Sequence, residues 1–332
     1  MGDVSKAIKH YIEDHIKLNL PDISRSARSR EWLLGRISSI IDQRNRDGKK
    51  EPVLYAPKPF LNFGSYFKKT KVKVVDEYDI LVVIDSNGGM FSTGGNKLGD
   101  GQGSAYPNYK YEGRKYFKSD DSGISPTKIL NWLKGIIAEI CGISGGEVPV
   151  RNGQAITVFI QSTNTTIDLV PAGIFKRVTD NKIFYNIPRG DKNDGWITTA
   201  PEDDMAALNE VAKDKENFRN VVRICKRVKE TYNFQVSSFA MESIVVAFGN
   251  KYKWRDDLYR DCRGALWYVA QIFREGSILD PFSGDNLIAG VENLSWYAER
   301  VDKIIATLDK CVEIADQARV DELVTKALEN DL

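Results

Sequence analysis

The feature that most constrains this chain is a pair of acidic residues inside an otherwise apolar stretch. Residues 78–85 are nearly continuous in apolar side chains and predict a strand that is covered on both faces. Glu77 and Asp79 stand two apart at its start, so their side chains project to the same side of the strand. Two carboxylates at this spacing repel each other unless cations lie between them. The pair therefore indicates a metal site.

A third acid has a similar setting further along the chain. Residues 165–170 predict another strand, in which Asp168 is flanked by Ile167 and Leu169. If this strand pairs beside the first, at a spacing of about 4.8 Å, its carboxylate reaches the same cations. Three carboxylates could then hold two Mg²⁺ ions, or Mn²⁺, roughly 3.5–4 Å apart, which suits in-line displacement at phosphorus. The alternative is three unrelated acids at exposed strand edges.

A Gly-Ser pair precedes these acids. Gly64 permits a tight backbone turn, and a helix starting at Ser65 would direct amide N–H groups at phosphate oxygens. Most Gly-Ser pairs are simple turns, so the pair gains its meaning from the acids that follow it. Together these residues predict a phosphoryl-transfer site.

The remaining pattern predicts an α+β fold. Helices are expected over residues 4–18 and 24–44 and from Ser125 to near Gly142, with a further strand over residues 155–161. Residues 86–104 are rich in glycine and predict a loop. From Pro201 onward the pattern is mostly helical. We therefore expect a mixed-sheet domain over residues 1–190 and an all-helical domain over residues 191–332.

Composition excludes several other classes. The four cysteines form no CxxC pair and there are only two histidines, so neither a structural zinc site nor a Ser-His-Asp triad is expected. Unpaired cysteines and the lack of a secretory signal favour the cytoplasm. No apolar run approaches the roughly 20 residues of a membrane-spanning helix. The net charge of +1 argues against a globally basic nucleic-acid clamp.

At the residues described above, the chain resembles a known group of enzymes. The segments LNFGSYFKKTKVKVVDEYDILVVI and RNGQAITVFIQSTNTTIDLVP resemble the polymerase-beta-like nucleotidyltransferases, and specifically the cGAS/DncV-like family. The similarity extends from about residue 20 to residue 250. It implies a bilobed fold with an N-terminal spine helix, a mixed-sheet lobe and a helical lobe that closes a nucleotide cleft.

The resemblance also assigns individual roles. Glu77, Asp79 and Asp168 match the metal ligands, and Ser65 beside Gly64 matches a phosphate-contacting serine. Lys226 and Ser238 match residues that contact the donor triphosphate, and Phe239 matches an aromatic that stacks on a base. Ordinary alternatives exist, because a helical lysine is commonly solvated and Phe239 beside Met241 could belong to the core.

Three departures from the family limit what can be carried over. The family's vertebrate member has a zinc-binding insertion that grips DNA, and this sequence lacks it. Activation by DNA is therefore not implied. A base-reading arginine is replaced by Ile197, and a threonine two residues after the third acid is replaced by Val170. The choice of base and linkage therefore stays open, as does the oligomeric state.

The expected function is synthesis of a cyclic di- or oligonucleotide second messenger from nucleoside triphosphates, with ATP and GTP favoured, in antiviral or anti-phage immune signalling. The alternatives are a linear 2′-5′ oligoadenylate synthetase and an inactive Mab-type scaffold. The arginines of residues 24–44 and the run Lys68, Lys69, Lys71 and Lys73 could form a basic surface. RNA is the expected activator if one exists.

Overall fold

The structure is a computed structural model. It describes residues 2–16, 20–72, 77–86, 90–92, 104–106, 114–116, 123–177, 181–190 and 195–329. The chain divides into two compact units. The sheet unit comprises Asn19–Phe67 and Val75–Glu202, and the helical unit comprises Met1–Leu18, Lys68–Val74 and Asp203–Leu332. The predicted domains placed residues 2–16 and 68–72 with the sheet and residues 195–202 with the helices, whereas the two compact units assign them the other way round.

Helices and strands follow one another in a mixed order, which makes the fold α+β. The described residues form α1 (Val4–His15), α2 (Leu20–Arg46), β1 (Phe60–Phe63), α3 (Gly64–Phe67), β2 (Glu77–Ile84), β3 (Met90–Ser92), β4 (Ser104–Tyr106), α4 (Pro126–Ser144), β5 (Val150–Asn152), β6 (Ala155–Ile160), β7 (Thr165–Lys176), β8 (Ile183–Pro188) and β9 (Trp196–Thr199). They continue as α5 (Pro201–Lys213), α6 (Phe218–Thr231), α7 (Ser238–Lys251), α8 (Leu258–Glu275), α9 (Leu294–Cys311) and α10 (Gln317–Glu329).

The main sheet is mixed, as predicted. Its strands lie in the order β1-β2-β7-β6-β5, while β8 pairs with β7 and β9 pairs with β8. The β2 and β7 strands are parallel, and every other pair in this sheet is antiparallel. Helix α4 begins after its N-cap Ser125, with Pro126 in the first turn, and packs against the sheet through its apolar side. This arrangement leaves the opposite side of the sheet for the acids.

The β7 strand extends past its predicted end at Val170 and continues to Lys176. The strand includes Pro171, which cannot donate a hydrogen bond to a neighbouring strand. The β7 strand pairs with β6 up to Leu169 and with β8 only from Gly173 onward. On this side of β7, Pro171 therefore lies where one neighbour has ended and the next has not begun, while on the other side it is paired with Val82 of β2.

The helical unit is built from α1 and α5–α10 around one large apolar core. Cys225 and Cys262 are fully buried in this core, and all four cysteines of the chain are free thiols. Tyr11 of α1, Arg227 of α6 and Glu329 of α10 form a buried polar network, in which Arg227 donates to both carboxylate oxygens of Glu329 at 2.7 and 2.8 Å. No described helix combines the length and apolar character needed to cross a membrane.

Candidate active site

Three acidic side chains stand side by side on the face of the sheet opposite α4. The parallel register pairs Asp79 with Asp168, and the antiparallel register pairs Asp168 with Thr157. Glu77 precedes Asp79 by two positions and shares its face, while Tyr78 and Ile80 are fully buried on the other side. The prediction that Glu77 and Asp79 project together and meet Asp168 is therefore confirmed.

The acids are close enough to share a cation. One carboxylate oxygen from each of Glu77, Asp79 and Asp168 lies within 4.8 Å of the other two, and all three side chains are half-buried. Carboxylate oxygens that remain partly accessible to solvent are the ligands that Mg²⁺ and Mn²⁺ prefer. The donor set therefore fits a divalent metal ion of this kind.

Further along the same strands, this face becomes apolar. Leu81 and Val83 of β2 and Val170 and Ala172 of β7 are buried in a cluster that also contains Tyr185. The acids thus occupy one end of an otherwise apolar face. Carboxylates beside a low-dielectric surface repel each other more strongly than in water, which increases their need for cations.

Gly64 lies directly against Asp79. Its backbone has a φ of +76°, which favours glycine, and a Cβ at this position would stand 1.9 Å from Oδ2 of Asp79. No other residue fits here without displacing the carboxylate of Asp79. Gly64 and Ser65 begin α3, and the first N–H groups of a helix have no partners within it. The predicted helix start at this Gly-Ser pair is confirmed.

Thr157 is a site residue that the sequence analysis missed. Its hydroxyl Oγ1 donates a hydrogen bond to Oδ1 of Asp168 at 2.6 Å. This contact fixes the orientation of the Asp168 carboxylate from one side. Threonine is common in strands, so only its pairing register with Asp168 identifies it.

Arg30 of α2 packs against β2 on the side of the strand that faces away from Glu77 and Asp79. Its guanidinium lies 5.3 Å from the ring centres of both Phe67 and Tyr78, and only 12% of its side chain is exposed. Arg30 was counted from the sequence among the arginines that could form a basic surface, and that expectation is wrong for this residue. It joins α2, α3 and β2 and so supports the strand that carries two of the acids.

In the helical unit, Lys226 is buried and makes charged contacts. Only 4% of Lys226 is exposed, and its Nζ donates to Glu242 at 3.2 Å and to the Thr70 hydroxyl at 3.1 Å. Lys68 donates to the other oxygen of Glu242 at 2.6 Å. Glu242 is therefore held between two ammonium groups. The alternative of a solvated Lys226 is wrong, and Lys68 does not belong to an exposed basic run.

Burial and ion pairing shift the pKa values of this cluster in opposite directions. Burial by itself would raise the pKa of Glu242, but the charges of Lys226 and Lys68 hold it below its usual value. For Lys226, burial outweighs the attraction of Glu242 and lowers its pKa. Glu242 was not singled out from the sequence, because its partner Lys68 lies 174 positions away.

Ser238 and Phe239 open α7. Ser237 caps the helix by accepting a hydrogen bond from the N–H of Ala240, so the hydroxyl of Ser238 is not used for capping. It instead lies 3.5 Å from Nζ of Lys229, which is only partly buried. Phe239 is half-buried beneath Nζ of Lys68, 5.2 Å from its ring centre. Phe239 is thus accessible and does not belong to the closed core.

The two positions that depart from the family lie among apolar side chains. Val170 is 2% exposed within the apolar cluster of the sheet, and Ile197 packs against the same cluster. Neither side chain has a hydrogen-bonding group. Any polar contact that distinguishes one base from another must therefore come from other residues.

Comparisons with known proteins agree with this geometry. No family model matches the chain. The chain is 25% identical to a probable cyclic nucleotide synthase of Bacillus cereus strain VD146. The aligned region covers 80% of this chain and 77% of that protein. Its fold matches that of CdnC from E. coli MS115-1, solved in a complex named CdnC:HORMA-deltaN, with a TM-score of 0.69 and 13% identity over 99% of this chain and 98% of that one. The structure of CdnC with ATP matches equally well, at a TM-score of 0.69 and 12% identity over 98% of this chain and 97% of that one.

A mixed sheet aligns three acids beside a Gly-Ser helix start, and the chain shares its fold with CdnC over nearly its whole length. The likeness in sequence to a probable cyclic nucleotide synthase, together with the likeness in fold to CdnC, supports nucleotidyltransferase activity.

Proposed function

We propose that this protein joins nucleoside triphosphates into a cyclic di- or oligonucleotide and releases pyrophosphate at each bond. The observation that carries the proposal is the convergence of Glu77, Asp79 and Asp168 within 4.8 Å on two adjacent strands. Divalent cations bound there, most simply Mg²⁺, would activate the attacking hydroxyl and stabilise the developing charge on the leaving pyrophosphate.

The chain's own residues supply position and charge. The three carboxylates hold the cations, and Thr157 fixes the orientation of Asp168 through its 2.6 Å hydrogen bond. Gly64 brings the start of α3 against Asp79, so that N–H groups near Ser65 can receive phosphate oxygens. In the helical unit, Lys229 beside Ser238 offers a partly exposed ammonium group for a triphosphate.

The contacts of Lys226 suggest an indirect role for that residue. Its ammonium is already engaged by Glu242 and Thr70, so a direct phosphate contact would require it to leave a buried ion pair. In our proposal Lys226 and Ser238 still belong to the triphosphate site. Lys226 holds Glu242 and the first turns of α7, where Ser238 and Phe239 lie, and Phe239 supplies the stacking surface for a base.

Three observations bear on substrates and biological role. One solved relative was studied with ATP, which supports nucleoside triphosphates as substrates here. The relative from Bacillus cereus is named a cyclic nucleotide synthase, which favours a cyclic product over a linear 2′-5′ oligoadenylate. The complete acid triad argues against an inactive scaffold. We propose that the product acts as a second messenger in cytoplasmic antiviral or anti-phage defence.

A product assay tests this function. The full-length protein would be incubated with labelled ATP, GTP, CTP and UTP and Mg²⁺ or Mn²⁺, and the products treated with phosphatase. A cyclic product resists phosphatase, whereas a linear product that ends in a triphosphate loses label. Asp79→Asn should abolish product formation while keeping the fold, and Asp42→Asn, at an exposed position of α2, should not. Near-normal synthesis by Asp79→Asn would refute the assignment of the triad.

A further inference from the structure

A small cavity in the helical unit combines an aromatic wall with polar groups of defined type. Its volume is about 150 Å³. Phe239 forms one wall, α7 contributes Ser243 and Asn250, and α5 contributes Asp204. Sites for drug-sized ligands usually measure about 300–1,000 Å³, so this smaller cavity is suited to one flat ring system, either a single ring or two fused rings. The other lining residues, apart from the charged Lys68 and Glu242, are apolar, as expected for a surface that receives a flat ring.

Asp204 differs from the other acid of this cavity in having no partner. Glu242 is fully engaged by Lys68, Lys226 and Thr70. Asp204 makes no hydrogen bond and no ion pair with any residue in the described part of the chain. A half-buried carboxylate without a partner is costly to maintain, which suggests that it meets donors on a ligand.

The surroundings of Asp204 show that it is not simply a stabilising charge near a helix start. A carboxylate that served the helix dipole would have a lowered pKa. Burial instead raises the pKa of Asp204 to about 6, and Lys68 opposes that rise only in part. The acids Asp280, Glu242 and Asp203 add to the increase. The group is therefore ionised at neutral pH at the expense of stability, and as a carboxylate it accepts hydrogen bonds only.

Among the common bases, guanine suits such a group best. Its Watson–Crick edge carries two adjacent N–H donors, N1–H and the N2 amino group, which one carboxylate can accept together. Adenine and cytosine place a ring nitrogen acceptor beside the amino group, and that lone pair would face the carboxylate. Asn250 and Ser243 can donate to the oxygen and nitrogen acceptors of guanine's other edge.

We propose that Asp204 selects guanine in this cavity, with the base stacked on Phe239. The proposal rests on the proposed function, since it assigns one substrate of that reaction as GTP. It also supplies the base-reading group that Val170 and Ile197 do not provide.

Binding measured without turnover tests this assignment directly. In the full-length protein carrying Asp79→Asn, dissociation constants for GTP, ATP and inosine triphosphate would be determined at pH 7.5 by equilibrium dialysis. Inosine triphosphate retains N1–H but lacks the N2 amino group. We expect the order GTP, then inosine triphosphate, then ATP. Adding Asp204→Asn should reduce the preference for GTP over ATP by about tenfold or more, since a bidentate contact is lost.

A matched control and a pH series complete the experiment. Glu210→Gln neutralises an exposed acid on the same helix and should leave the preference unchanged. The preference for GTP should also weaken below about pH 6, as Asp204 takes up a proton. Thermal unfolding would establish that both variants fold. An unchanged GTP to ATP ratio in folded Asp204→Asn, or tighter binding of ATP by the parent protein, would overturn the assignment of Asp204. Failure to bind any nucleotide would contradict the proposed function as well.

Discussion

The backbone of Gly64 touches the carboxylate of Asp79 so closely that a methyl group at residue 64 would stand 1.9 Å from Oδ2. The turn at Gly64 and the carboxylate of Asp79 therefore fix each other's position. The contact explains why a Gly-Ser pair and an acid further along the chain act as one motif. The distance between them in sequence matters less than this contact in space.

Gly64→Ala should therefore abolish turnover while only moderately weakening the fold. The new methyl group displaces Asp79, and misplacement of a reacting group by about 1 Å can lower the rate about 100-fold. Gly135→Ala is the matched control, because this glycine lies inside α4 with nothing within 4 Å of the added carbon. It should keep full activity and gain up to about 1 kcal/mol. Steady-state rates and urea unfolding would measure both effects, and an active Gly64→Ala would contradict the contact.

Thr157 should act through Asp168. Thr157→Val removes the 2.6 Å hydrogen bond with little change in shape, and loss of such a supporting contact lowers metal affinity or activity about 10–100-fold. Thr157→Ser retains the hydroxyl and should keep most of the activity. The measurement is the Mg²⁺ concentration that gives half-maximal rate for each variant. Equal Mg²⁺ requirements in the valine and serine variants would show that the hydrogen bond has no such role.

Two substitutions of Phe239 test whether its ring stacks on a base. Stacking of a base on an aromatic ring is worth about 1–3 kcal/mol and tolerates either purine. Phe239→Ala should raise KM for both ATP and GTP, whereas Phe239→Tyr should resemble the parent protein. If the two variants behave alike, the ring does not stack on a base. This experiment separates stacking from the base selection assigned to Asp204, which should alter the two nucleotides unequally.

Glu242 should be needed for stability more than for chemistry. Glu242→Gln leaves Lys68 and Lys226 buried without their shared counter-charge, and breaking a buried pair in this way costs about 3–5 kcal/mol. The lowered pKa of Glu242 means that its contribution is present above its ordinary value of 4.5 and is lost as the pH falls below it. Urea unfolding from pH 7 to pH 3.5 would show a decline that Glu242→Gln lacks, while Glu299→Gln, at an exposed site, should follow the parent protein.

A further prediction concerns activation of the enzyme by RNA. Arg28 of α2 is exposed, whereas Arg44 is paired with Glu139 and Lys68 is buried, so fewer basic side chains are available than the sequence suggested. Arg25 and Lys73 lie outside the residues whose side chains are described. If duplex RNA activates the enzyme, the rate should rise on its addition and fall steeply with salt, because counterions are displaced from its phosphates. A high rate that ignores both RNA and DNA would exclude an activator of this type.

The local secondary structure was predictable because interactions between residues near each other in sequence determine it. The strand of Glu77 and Asp79, the strand of Asp168 and the helix after Ser125 all follow from periodicity and capping, and each occurs in the structure. The contacts of Lys68, Lys226 and Arg30 were not predictable. Each depends on a partner far away in sequence or on which side of a helix is buried, and the residue types alone do not determine either. The orientation of Asp168 by Thr157 likewise depends on register.

The parallel pairing of β2 with β7 has a consequence for how such enzymes can diversify. Asp79 and Asp168 are aligned by backbone hydrogen bonds between neighbouring strands, whatever the length of chain that joins them. Parallel strands require a long crossover in any case, and here it includes α4. Insertions and deletions in that crossover can accumulate without shifting one acid relative to the other. The segments between β2 and β7 that lie outside α4, β5 and β6 are therefore open to change in length, and new recognition elements can evolve there without disturbing the three acids.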